Sequence, residues 1–570
     1  MISIVRRTVL AVLLSSSVAV PVSADTGAGS YLAGRQAIYE SDYAAAEKYY
    51  AQALKFDPQN ALLLESVVVA RLALGEVERA LPVAQSIEEA NLPSQAARMV
   101  VAANLIADDN LAELLARDPE TQGVGPLVDG LMMSWAYLGQ GEMTKAMEQF
   151  DTVSTQNGLR EFAFYHKAMA LASIGDFEGA EAIFAENDGA IAQFSRRAAM
   201  ARVEVLSQLD RNVDALAFLD DVFAAGSDPS IEDYISRLTA GETLPFTHVR
   251  SARDGMAEVF FSVGAALNAE ASPDYVLLYA RMASFLRPDH VDAILLSAEL
   301  LDELNQYDLA VDAYRQVPAD SNDHHAAELG RAEVLGRSGK TDAAIEVLQN
   351  LAAQKPDLPG VHVALADIQR REENYAAAVD SYDTAIDLTE TESSGNWFLH
   401  YARGISHERL KQWDQAEADF RRALELNPDQ PQVLNYLGYS LVERREKLDE
   451  ALDMIERAVA AHPDSGYIVD SLGWVLFRLG RYDEAVEHME RAVELMPVDP
   501  VVNDHLGDVY WAVGRAREAE FQWKRALSFI DPEDTDSEAD PERIRRKLEV
   551  GLDAVLAEEG ADPLKVANGN

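Results

Sequence analysis

The chain has 570 residues, 48% hydrophobic and 25% charged, too long for one ordinary core and too apolar for a disordered chain. Its 49 Lys and Arg face 96 Asp and Glu, a formal net charge of −47. That balance argues against nucleic acid and anionic membrane surfaces, because phosphate binding rests on cationic side chains releasing counterions. Cysteine is absent, which excludes disulfides, thiolate catalysis, cysteine zinc ligands and a lipid-modified N-terminal cysteine.

Residues 1–24 have the pattern of a secretory signal: Arg6 and Arg7, an apolar run from Val9 to Leu14, Pro21, and small residues at Val22-Ser23-Ala24. Cleavage is expected after Ala24, leaving a periplasmic protein without a transmembrane span or lipid anchor. From 25 to 225 the composition predicts paired helices. The first unit carries Gly34, Tyr43, Ala46, Tyr50, Ala53 and Pro58. Fainter copies follow at Gly75 and Ala80, at Tyr137, Gly141, Ala146 and Phe150, at Gly175, Phe177, Ala180 and Phe184, and at Ala215 with Leu219. Residues 93–126 keep helical composition but lose the phase.

Gly226, Asp228-Pro229, Gly241 and Pro245 predict an irregular connection over 226–256. A second array is expected over 257–530, faint at Tyr307, Gly339 and Tyr375 and strongest near its end. There Gly404, Gly438, Gly473 and Gly507 recur at spacings of 34, 35 and 34, with Ala451, Ala485 and Ala519 in phase and Pro428, Pro463 and Pro497 closing units. A fixed period in this range marks a stacked helical repeat. The extra residue of the 35-step falls around Arg445 to Lys447, between two helices. Residues 531–560 are expected to form an acidic loop and one capping helix carrying Ile544, Leu548, Leu552 and Leu556. Residues 561–570 are expected to be a disordered tail.

The unit from Gly466, with Gly473, Ala485, Met489, Ala492 and Pro497 at positions 8, 20, 24, 27 and 32, resembles the tetratricopeptide repeat. The resemblance implies an all-α superhelical solenoid of paired antiparallel helices, each pair A and B, whose A helices line an inner face. On that face it places Tyr401, Asn435, Tyr439, Asp470, Trp474, Phe477, Asp504, Asp508 and Trp511, an aromatic and acidic groove for an extended peptide. In the alternative, Trp474 and Trp511 pack against the next pair. Tyr482, Phe420, Trp413 and Trp523 are assigned to the core. The stretches Asp470 to Ala485 and His505 to Trp511 are similar to proteobacterial envelope repeat adaptors, including the lipoprotein partner of a periplasmic carboxy-terminal processing protease.

Catalytic signatures are weak. Gly339-Lys340-Thr341 lacks the earlier glycine of a phosphate loop, and His324-His325 point about 100° apart on a helix. His400 and His407 stand two turns apart. The expectation is a non-catalytic scaffold without cofactor or metal, binding other proteins or extended segments, including a periplasmic protease and its substrates. The alternative is a structural component of an outer-membrane export or polysaccharide secretion assembly.

Overall fold

The structure is a computed structural model describing residues 27–186, 195–223, 229–389, 394–531, 538–561 and 563–564. The signal at 1–24, Gly226, Asp228, part of the acidic loop (532–537) and most of the tail lie outside these residues. Among the described residues every regular element is a helix. The chain divides into two compact units, Met1–Val347 and Leu348–Asn570.

Unit 1 opens with α1 (Gly27–Tyr39) and α2 (Tyr43–Leu54), then α3 (Ala61–Ala73) and α4 (Val77–Glu89). Asp42 and Asn60 cap α2 and α3 by accepting from the backbone N–H three residues on, which stabilises each helix by about 1 kcal/mol. The out-of-phase stretch 93–126 holds α5 (Gln95–Ala107) and only two short helices, α6 (Leu111–Ala116) and α7 (Pro119–Gln122). Two further pairs are α8 (Pro126–Gly139) with α9 (Met143–Ser154), and α10 (Arg160–Ser173) with α11 (Phe177–Glu186). Then come α12 (Arg196–Gln208), α13 (Asn212–Val222) and α14 (Pro229–Thr239).

The expected irregular connection at 226–256 is thus partly helical. Its non-helical stretch is pinned: Glu204 accepts from Thr247 N–H at 2.8 Å, Thr247 Oγ1 at 2.7 Å, Tyr234 Oη at 2.7 Å and His248 Nδ1 at 2.8 Å. Burial alone would raise the Glu204 carboxyl, but His248 and these donors pull it down to about 2.

The next hairpin, α15 (Ala252–Leu267) and α16 (Pro273–Leu286), folds back on the array. α15 packs on α8 and α10, and α16 on α3 and α5, so the hairpin crosses the first helices of successive pairs. Gly255 allows the approach, since a Cβ there would stand 2.3 Å from the Trp135 ring. Glu258 accepts from Tyr165 Oη at 2.8 Å and from Arg197 Nε at 2.8 Å, and Arg281 donates to Ala73 O at 3.1 Å. An array boundary between 225 and 257 would cut through this packed core. α17 (Val291–Glu303), α18 (Tyr307–Tyr314) and α19 (His324–Arg337) complete the unit, and the division falls within α20 (Thr341–Gln354).

Unit 2 contains α21 (Pro359–Arg371), α22 (Tyr375–Asp387), α23 (Trp397–Arg409), α24 (Trp413–Leu426), α25 (Pro431–Glu443) and α26 (Leu448–Ala461). It continues with α27 (Gly466–Arg478), α28 (Tyr482–Leu495), α29 (Pro500–Ala512) and α30 (Ala516–Phe529). The repeat phase has a packing cause. A Cβ on Gly473 would meet Met489 Cγ at 2.7 Å, and one on Gly507 would meet Trp523 Cδ1 at 2.4 Å. Ala451, Ala485 and Ala519 are fully buried where the paired helices touch. The 35-residue step sits where Arg445 (φ 57) and Lys447 (φ 47) are both left-handed, a longer turn than the one through Gly480.

The expected single capping helix is two helices, α31 (Pro541–Val550) and α32 (Leu552–Glu558), separated at Gly551 with φ 83. The every-fourth-residue stripe survives the break because Ile544 and Leu552 are both buried.

Candidate protein-binding trough

The first helices of successive pairs in unit 2 present equivalent positions to one face. Tyr401, Asn435, Asp470 and Asp504 share one repeat position, and Tyr439, Trp474 and Asp508 lie one turn further on. The structure separates this row into an open part and a filled part.

The open part is a trough of about 860 Å³ built by the C-terminal ends of α23 and α25, the start of α24, and the N-terminal ends of α27 and α29. Of the nine expected groove residues, Asn435, Tyr439 and Asp470 line it. Trp413, expected in the core, lines it too, with the Arg444 guanidinium 4.7 Å from its ring centroid. Tyr436 and the exposed Tyr467 add further aromatic wall. Arg409, Lys411 and Arg444 line it together with Glu408 and Glu443 at the ends of α23 and α25, and Asp470, Asp499 and Glu538 add further carboxylates. Two polar atoms of the lining residues have no partner: the indole Nε1–H of Trp413, a donor, and the amide Oδ1 of Asn435, an acceptor.

The filled part holds the rest. Tyr401 is half-buried and packs by its ring on Trp397, Phe420 and Tyr436. Trp474 is sandwiched between Phe477 (centroids 4.9 Å) and His505 (4.0 Å), and its Nε1–H donates to Glu443 at 2.8 Å. This is the packed alternative for Trp474. Asp504 and Asp508 are buried under α31: Lys547 Nζ donates to both oxygens of Asp504 at 2.8 Å and to Asp508 Oδ1 at 2.7 Å. Asp508 also accepts from Trp523 Nε1 at 2.8 Å. Trp511 lies beneath Gly551 and donates to Asp553 at 2.9 Å. Asp504, Asp508 and Trp511 stand on α29, the first helix of the last pair, where the C-terminal segment covers them.

Sequence reasoning missed Trp413. Its place at the start of a second helix usually faces a neighbouring pair, and nothing local signals that it borders open space. Among the described residues no group of three or more His, Asp or Glu stands as a metal site, and no helix is long and apolar enough to cross a membrane.

Stacked antiparallel pairs with an open inner trough define a helical-repeat protein of the class that mediates protein–protein interactions. Models of the tetratricopeptide repeat match residues 31–96, 329–393, 401–465 and 441–500, and a second such model matches 292–320; these segments are tetratricopeptide repeats. The chain is similar to a TPR repeat-containing protein of Pseudomonas aeruginosa, 36% identical over 83 residues, 15% of this chain and 14% of that one. It is also similar to a lipoprotein NlpI homolog of Haemophilus influenzae, 39% identical over 87 residues, 15% of this chain and 26% of that one. The matches thus span about a quarter or less of each relative. Among solved structures it resembles APC/C Cut9–Hcn1 (14% identity, TM-score 0.38, covering 93% and 97% of the two chains). It also resembles yeast Tom70 (13%, TM-score 0.32, covering 94% and 96%).

Proposed function

We propose that the chain is a non-catalytic adaptor of the bacterial periplasm that holds an extended segment of another protein in the unit 2 trough. The open trough walled by Trp413, Tyr436, Tyr439 and Tyr467 carries this reading. The aromatic walls supply apolar anchors, and the charged groups of both signs around the trough meet polar groups of the segment.

The periplasmic placement is supported by the signal pattern at 1–24 and by the likeness to a protein named as a lipoprotein. Presentation of client proteins to an envelope protease is the role that fits an exported scaffold with an open trough.

The test is a photo-crosslinking residue at Tyr467, on the trough, or at Glu487, on the outer face of α28, in cells that export the chain. Adducts with defined proteins are expected from Tyr467 and not from Glu487. They should disappear when Trp413→Ala and Asn435→Ala are combined. Equal adducts from both positions, or adducts indifferent to the double substitution, would reject the reading.

A further inference from the structure

The C-terminal segment 538–561 lies along the same inner face as the trough. It touches four of the nine residues expected there. Glu538 accepts from Tyr439 Oη at 2.6 Å and also lines the trough. Lys547 takes Asp504 and Asp508, and Gly551 with Asp553 takes Trp511.

We propose that the inner face of the last two repeats is a binding site for a lysine-bearing amphipathic segment of a partner protein, with residues 538–561 as its resident occupant. The proposal rests on unit 2 being a peptide-binding array, and it names the chemistry of the bound segment.

The seated segment shows what the site selects. On α31 the buried face is narrow: Ile544 is 0% exposed and Lys547, three residues on, is 1% exposed. That spacing puts an aliphatic side chain and an ammonium on one helix face. The ammonium is met by three carboxylate oxygens at 2.7–2.8 Å, with Arg543 3.7 Å from Asp508 as a second cation. Leu548 on the same helix packs partly buried against the core, and the outer side is charged, with Arg545 paired to Glu542 and Arg546 to Glu558.

A permanent lid over the last seam needs only the apolar cover that Ile544, Leu548, Leu552 and Leu556 give. A buried ion pair beside it is often no more stabilising than packed hydrophobic groups, whereas it strongly discriminates among occupants. The buried Lys547 therefore acts as a recognition element. Without it the Asp504–Asp508 pair keeps only the more distant Arg543, 3.7 Å from Asp508, and the neighbouring His505 imidazole. A partner segment with an aliphatic residue three positions before a lysine reproduces both contacts and competes for the site. The resident segment, tethered close by, competes at an effective concentration on the order of millimolar.

A synthetic peptide of residues 538–561 serves as the probe, added to the full chain and to its Lys547→Gln variant. The variant loses the resident ammonium and should bind the peptide roughly tenfold or more tightly than the unaltered chain does. A peptide carrying Lys547→Gln should bind neither. Equal binding of the probe by both chains, or equal binding of the two peptides, would overturn the proposal. Should the variant fail to fold, amide hydrogen exchange on the unaltered chain decides. Residues 541–558 should exchange faster than α29 and α30, and faster still in salt, while protection equal to α29 and α30 would mean a fixed lid. The probe involves no envelope partner, so its failure leaves the crosslinking test at Tyr467 independent.

Discussion

The imidazole of His505 lies flat on the indole of Trp474, with ring centroids 4.0 Å apart and planes within 11°. Its Nδ1 carries a proton toward Asp470 Oδ2 at 3.1 Å. Burial by itself would lower the imidazole, but Asp470, with Asp504 and Asp508 beyond it, raises it to about 9. The folded form thus keeps a proton that the unfolded chain releases near 6.5. The resulting stability of unit 2 is fully present below about pH 6.5 and is lost as pH rises through about 9. Chemical unfolding of unit 2 followed against pH should show a loss of up to about 3 kcal/mol over that window. His505→Gln should flatten the curve there.

His166 in unit 1 behaves in the opposite sense. Trp135 Nε1–H donates to its Nδ1 at 3.2 Å, and its Nε2 meets Ser262 Oγ at 3.0 Å. Burial pushes the ring down to about 4 against a small opposing pull from Glu258. The folded chain refuses a proton that the unfolded chain accepts. Stability from the neutral ring is therefore full above about pH 6.5 and is lost as pH falls toward about 4. Trp135 is the sole tryptophan of unit 1, so its fluorescence reports the transition. His166→Gln should remove the slope between about pH 6.5 and 4.5, leaving the carboxylate-driven loss at lower pH.

Two glycines separate packing from propensity. Gly255→Ala would drive a methyl to 2.3 Å from Trp135, and a loss of about 1–3 kcal/mol is expected with a shifted Trp135 emission. Gly360 sits in the first turn of α21 with nothing within 4 Å of an added Cβ. Gly360→Ala should stabilise by about 0.5–1 kcal/mol in the same urea titration.

Glu258 is the buried charge that holds the α15–α16 hairpin in place, facing Arg197, His290 Nε2 at 3.2 Å and Tyr165. Glu258→Gln removes the charge and leaves Arg197 with the Asp292 carboxylate at 2.6 Å and the His248 carbonyl at 3.0 Å. A loss of about 3–5 kcal/mol is expected, because a buried cation then lacks its main partner. Hydrogen exchange should rise first in α15 and α16.

The amino-acid sequence by itself determined the helical pairs of unit 2 and their phase. Gly473 faces Met489, and Gly507 faces Trp523, within one pair each. Contacts between neighbours in sequence leave a periodic record in residue size. Asn435, Tyr439 and Asp470, expected on the inner face from the family resemblance, line the trough. Tertiary structure alone decided three things. One is that α15 and α16 cross the array of unit 1, through pairs such as Tyr165 with Glu258 that lie 93 residues apart. Another is that Trp413 borders open space. The last is that Lys547 claims Asp504 and Asp508 from about forty residues away. Such contacts join segments with no fixed spacing, so they leave no period to read.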